Sequence, residues 1–293
     1  MGKEKTTKKR GKLKMLYREH KKTFIVYWVL RIFVLLIMIR SIFLQSYENV
    51  ALCLLTLVLF YVPSIIKKTL RIELPSTLEI IVLLFIFSAE ILGEIECFYV
   101  RLNGWDTMMH TINGFLCAAI GFSLVEILNR EKNVKVNMSP LFMAVVAFCF
   151  SMTIGVLWEF VEFGSDMLLH SDMQKDTVIH EIYSVSLDPT NSNIPIALKD
   201  ITDVTVNGQS LELGGYLDIG LRDTMKDLGV NFIGAVVFSV MGFFYMNTQG
   251  EVTGKIVESL VPSVPEQGVS DQDKSNKEEE DRGRTRKRKR RKQ

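Results

Sequence analysis

The residues in this chain that could do chemistry are carboxylates and one histidine, set at helical intervals in otherwise apolar sequence. Asp106 and His110 are four apart. Glu159, Glu162 and Asp166 lie at offsets of three and seven, and Asp223 and Asp227 are again four apart, with Asn231 continuing the stripe. Glu90 and Glu94 repeat the four-residue step. Side chains three or four apart share one face of an α-helix, so each group predicts a cluster on one side of its helix. Carboxylate oxygens with one imidazole make a donor set for Mn, Mg, Ca, Fe or Zn, and the lack of a thiolate disfavours copper or a cluster. Asp106, His110, Glu159, Glu162, Asp166, Asp223 and Asp227 are therefore the candidate ligands of a divalent cation. Asp106, His110, Glu162, Asp223 and Asp227 are also the candidates for general acid or base beside a metal that activates water or polarises a phosphoryl or carbonyl oxygen.

Two other uses of these acids stay open. Crowded carboxylates can share protons rather than a metal, and Glu90 and Glu94 are the candidate relay groups for an ion- or proton-coupled transporter. Acids at helix starts also complement the macrodipole, which could account for Asp106 and Asp223 in a purely structural or regulatory protein. The chain has no HExxH, no GxSxG and no glycine-rich phosphate loop, so none of these familiar sites assigns a reaction.

The elements that must carry these residues are long apolar blocks. Hydrophobic residues make up 48% of the 293, and they are concentrated rather than dispersed. A helix needs about 20 mostly apolar residues to cross the hydrocarbon of a bilayer. Six stretches approach that length, Phe24–Leu44, Val50–Ile66, Leu78–Val100, Met108–Leu128, Leu141–Val161 and Met225–Met246. Backbone in lipid must satisfy its own hydrogen bonds, so they predict an all-α membrane protein, a six-transmembrane-helix bundle spanning 24–246. Each of Cys53, Cys97, Cys117 and Cys149 falls inside a block, which argues against a disulfide framework or a thiolate zinc site.

Positive charge predicts the orientation. Ten Lys or Arg fall in the first 22 residues, and Lys67, Lys68, Arg71 and Arg130, Lys132, Lys135 mark two later loops. Gln45–Asn49 has no basic residue and Arg101–Thr107 has one. Cytoplasmic loops are the ones enriched in Lys and Arg, so both termini are expected in the cytoplasm. Residues 1–23 then form a basic cytoplasmic segment leading into a retained signal anchor. Residues 247–293 form a cytoplasmic tail, expected to be disordered, that is acidic and then basic, with nine basic residues in the last twelve. Anionic lipid headgroups are the expected partner of the basic tails, and nucleic acid is not. This orientation brings the four acidic groups to one depth near the outer boundary. The number of chains in the assembly is not legible.

Residues 171–221 form the one sizeable external loop. Thr202–Val206 and Gln209–Leu213 alternate around Asn207-Gly208, a strong two-residue hairpin signal, and predict a small extracytoplasmic β-hairpin cap.

At these residues the chain resembles the YjdF-type family of bacterial inner-membrane proteins. The family's Trp-Asp with a His four on and a following Gly-Phe is matched by Trp105, Asp106, His110, Gly114 and Phe115. Its Glu-x-x-Glu is matched by Glu159 and Glu162, and its late aspartate pair before a Gly-Ala span by Asp223, Asp227, Gly234 and Ala235. The resemblance covers roughly Leu78–Met246 and departs in the enlarged loop and both charged tails. It implies the cytoplasmic membrane of a bacterium and no particular reaction.

Overall fold

A computed structural model describes residues 2–70, 72–130 and 138–262. The basic terminal run 282–293, Arg71 and the loop residues Lys132 and Lys135 lie outside the described residues. The order is α1 (Gly2–Phe43), α2 (Tyr47–Leu59), α3 (Val62–Leu70), α4 (Ser76–Phe87), α5 (Phe98–Arg101), α6 (Trp105–Arg130), α7 (Pro140–Leu169), α8 (Leu221–Asn247) and α9 (Gly254–Leu260), with short strands between α7 and α8.

Among the described residues, five helical stretches are long and apolar enough to cross a membrane: Lys21–Phe43, Tyr47–Thr69, Trp105–Leu128, Pro140–Leu169 and Leu221–Asn247. The second joins α2 to α3 across a break at Phe60–Tyr61. There Pro63 sits in the first turn of α3, where its missing N–H costs nothing. The stretch expected as a third span departs from the expected continuous helix. It is α-helical over Ser76–Phe87 and π-helical over Ser88–Ile95, then turns at Cys97, whose φ is 60°. The π segment is accompanied by a ring-on-backbone contact, because a side chain at Gly93 would overlap the Tyr99 ring. Large apolar side chains such as Phe24, Ile32 and Leu36 on α1, and Phe160 and Phe163 on α7, are exposed. That is the outward face expected of helices solvated by lipid.

The helices form two groups. α6, α7 and α8 pack closely on one another, with Phe122, Ala147, Ala235 and Phe238 in their core. α1, α2 and α4 pack around Val34, Cys53, Phe60 and Leu83. The expected disorder after residue 246 needs correcting at its start. Val257 and Leu260 of α9, three apart on one face, and Val261 just after it are buried in the α6–α8 core together with Leu78 of α4.

Close approach among α6, α7 and α8 rests on small residues. A methyl built at Gly114 of α6 would overlap the backbone carbonyl of Asn231 on α8, and one at Gly234 of α8 would overlap that of Thr111 on α6. A Cβ at Gly155 of α7 would come within 2.7 Å of the Asn231 amide nitrogen, and the Ser151 hydroxyl donates to the Gly114 carbonyl at 2.7 Å. Small residues at such crossings allow backbone-to-backbone packing where lipid supplies no hydrophobic drive.

The loop holds three two-stranded antiparallel ladders. Thr177–Ile179 pairs with Tyr216–Asp218, Ile182–Ser184 with Ile196–Leu198, and Thr205–Val206 with Gln209–Ser210 across Asn207-Gly208. Both turn residues have positive φ, 54° and 81°, as the tight hairpin geometry demands. The Asp188 carboxylate accepts from the hydroxyls and backbone N–H groups of Thr190 and Ser192. These bonds, the Thr190 hydroxyl foremost, hold its carboxyl well below the usual carboxylate range.

Candidate functional site

Each site helix begins or ends at a left-handed residue. α6 follows Gly104 (φ 83°), α8 follows Gly220 (φ 75°), and α7 ends on His170 (φ 56°). Just inside those turns, His110 of α6 is enclosed by four carboxylates. Its Nε2 lies 3.3 Å from Asp106 Oδ1, 3.8 Å from Asp227 Oδ2 and 3.9 Å from Glu162 Oε1, while its Nδ1 lies 3.9 Å from Glu159 Oε1. Asp106, His110 and Asp227 form one triad with mutually close donor atoms, and His110, Glu159 and Glu162 form another. His110, Glu159 and Glu162 are buried, and Asp227 is only 1% exposed.

The rim is partly neutralised. Lys226 Nζ sits 2.8 Å from Asp223 Oδ1, 3.1 Å from Asp106 Oδ2 and 3.5 Å from Asp227 Oδ1. Asp223 also accepts from the backbone N–H of Lys175 through its other oxygen. With both oxygens engaged, Asp223 fits a structural role joining the loop, α8 and Lys226 better than a ligand role. Glu162 accepts from Trp158 Nε1 at 2.6 Å. Among the described residues, two buried carboxylate oxygens are left without a hydrogen-bond partner, Glu159 Oε2 and Asp227 Oδ1. Buried polar atoms are almost always satisfied, and an unpaired buried charge is expensive.

Of the candidates read from sequence, the structure gathers Asp106, His110, Glu159, Glu162, Asp223 and Asp227. Asp166 is not gathered. Its carboxylate turns away and accepts from the backbone N–H groups of Met173 and Gln174 and from the Ser171 hydroxyl, ordering the chain that leaves α7. Glu90 lies apart from the cluster, on the wall of a cavity that also touches His110, and Glu94 is exposed. Arg40 pairs with Glu96 at 2.6 Å. Sequence reasoning gave no weight to Trp158, although its four-residue step to Glu162 was a usable signal.

A family model for predicted membrane proteins, DUF2238, matches residues 26–248. The chain belongs to that family. The YjdF-type resemblance read from the sequence is consistent with it. Neither the comparison with curated proteins nor that with solved structures gives a match. Membership in DUF2238 carries no reaction, so the chemistry rests on the geometry. The family-like residues fall into two sets in this chain. Asp106, His110, Glu159, Glu162, Asp223 and Asp227 make the polar cluster, whereas Gly114 and Gly234 make the α6–α8 crossing beneath it.

Proposed function

We propose that the cluster binds one divalent cation through His110 Nε2, Asp106, Asp227 and Glu162. Glu159 faces Nδ1 and would fix the imidazole's orientation, as carboxylates behind metal-bound histidines do. The carrying observation is the buried Glu159 Oε2, without a hydrogen-bond partner among the described residues, and the buried Asp227 Oδ1, whose only cation is Lys226 at 3.5 Å, beside an imidazole already crowded by acids. Ligands at right angles on an ion with bonds of ~2.1–2.6 Å stand about 3.0–3.7 Å apart; Asp106 at 3.3 Å from Nε2 is within that spacing, and Asp227 at 3.8 Å and Glu162 at 3.9 Å would close in slightly on the ion. Five carboxylates, Asp106, Glu159, Glu162, Asp223 and Asp227, face one lysine and one imidazole, so a further positive charge is favoured. In this reading the protein is a metal-dependent enzyme, and the ion polarises a phosphoryl or carbonyl oxygen of a lipid-borne or envelope substrate. Purified protein is expected to bind Mn²⁺ at one site per chain by titration calorimetry. Asp106→Asn or His110→Ala should each abolish that binding, and combining them should add little. Protein that takes up no divalent ion would sink the proposal and leave shared protons or capping.

The site belongs, in this proposal, on the outer side of a six-span bundle in a bacterial cytoplasmic membrane, with α4 and its π-helical continuation as the sixth crossing. Both termini lie inside, the loop ladders lie over the outer face, and the basic tails meet anionic headgroups. What supports this is the alternation of basic loops. A reporter inserted between Ser192 and Gly208 should behave as external and one after Lys67 as cytoplasmic. The opposite result at either place would overturn the orientation.

A further inference from the structure

A cavity of about 200 Å³ runs along the seam between the two helix groups, and its position names a substrate class for the proposed site. Leu59 of α2, Phe85 and Ile86 of α4 and Met109 of α6 line it with apolar surface. His110 lies in the same wall, and Glu90, Asn113 and Tyr99 add polar groups. Trp158, 42% exposed, lines it too, and its indole N–H is the donor to Glu162. One aromatic ring thus forms part of the apolar slot while gripping a carboxylate of the cluster. Because Trp158 lies within the apolar stretch Pro140–Leu169, its exposure gives the slot an edge toward the bilayer, so a ligand could enter sideways without passing through water.

A slot with apolar walls that reaches a cation site fits an amphiphile. From this arrangement we infer that the protein binds a phosphate-headed lipid, its apolar chain in the seam between α2, α4 and α6, its phosphate at the cation held by His110 and its acids. The inference rests on the cation reading, because the cluster by itself is too acidic to accept an oxyanion. Phosphate oxygens are hard donors of the kind Mg²⁺ and Mn²⁺ favour. A water-soluble phosphate would leave the apolar walls uncovered, and a lipid without an anionic head would leave the cation uncovered. The cavity holds only the first methylenes of a chain, and the rest would extend past Trp158 into the bilayer.

The experiment uses the full chain in detergent, with decyl phosphate as probe, compared with inorganic phosphate and decanol, each with Mn²⁺ and with EDTA. Decyl phosphate with Mn²⁺ is expected to bind at least tenfold tighter than either partial probe, and EDTA should remove that advantage. Ile86→Trp, which fills the apolar end, should weaken decyl phosphate at least tenfold while leaving Mn²⁺ affinity unchanged. The comparison of probes on the parent protein stands even if that variant fails to fold. Decyl phosphate binding no tighter than inorganic phosphate, or binding equally well in EDTA, would overturn the inference while a bound Mn²⁺ kept the site reading intact. Failure to bind Mn²⁺ at all would overturn both.

Discussion

Gly114→Ala is expected to destabilise the protein and to disturb a site it does not touch. On propensity alone alanine should favour a helix by about 1 kcal/mol over glycine. At Gly114 the added methyl meets the backbone of Asn231, which cannot rotate away as a side chain could, so α6 and α8 must separate. Overpacking of this kind costs about 1–3 kcal/mol, more where backbone must shift. The net expectation is a loss of about 2 kcal/mol or more, with Gly234→Ala behaving alike because its methyl meets Thr111 backbone. Gly164→Ala and Gly229→Ala are internal controls, since nothing stands within 4 Å of a Cβ at either position. Both should be neutral or slightly stabilising. Thermal unfolding of the four variants in one detergent checks this, and a Gly114→Ala protein as stable as Gly229→Ala would contradict the close crossing.

The effect should reach the site because of register. His110 is one helical turn from Gly114, Asp227 one turn from Asn231, and Glu159 one turn from Gly155, each on the side of the cluster. The three residues that meet around the imidazole therefore stand directly above the three that let the helices touch. Side chains one turn apart on the same helix move together, so separating the helices at Gly114 widens the distances around His110. Gly114→Ala is accordingly expected to weaken Mn²⁺ binding as well as folding.

What was legible from sequence and what was not divides along the range of the interaction. The stripes Asp106–His110, Glu159–Glu162 and Asp223–Asp227–Asn231 were readable because the helix period maps sequence spacing onto one face. The Asn207-Gly208 turn was readable because it needs only two residues with positive φ. The destinations of Asp166 and Glu94 were not readable. Asp166 shares its stripe with Glu162, but the chain folding back at Ser171–Gln174 offers it backbone donors, and that return is a loop event without periodicity. The break in the third apolar stretch was hidden for a similar reason. Its composition is that of an uninterrupted helix, and the π turns accompany Tyr99 folding back on Gly93. The pairing of Thr177 with Asp218 joins residues far apart in the chain, which a local pattern cannot announce. α9 was not readable because a seven-residue helix with two buried apolar side chains, Val257 and Leu260, resembles tail sequence until a surface around Leu78 is known to receive them.

Asp227→Asn should reverse the sign of its effect on stability according to whether a cation is present. Asp227 is 1% exposed, and its Oδ1 has no hydrogen-bond partner. Its nearest ammonium, Lys226, stands closer to Asp223 and Asp106 than to it. In chelator, then, Asp227 is one of several like charges held together in a place with little water. An amide of the same shape removes one repelling charge, and replacing poorly compensated buried charge is often stabilising by about 1–4 kcal/mol. With Mn²⁺ in excess the parent gains a stabilisation that the variant, lacking a ligand, does not. At a concentration 100 times the dissociation constant that gain is about 2.7 kcal/mol. The two stability curves should therefore cross as Mn²⁺ is added: the variant is the more stable protein in EDTA, and the parent is the more stable in metal. Capping or a proton relay makes no such demand, because in either case the change at Asp227 acts the same way whatever the metal concentration. Melting temperatures of parent and Asp227→Asn across a Mn²⁺ titration decide the matter, and parallel curves would remove the cation from the site.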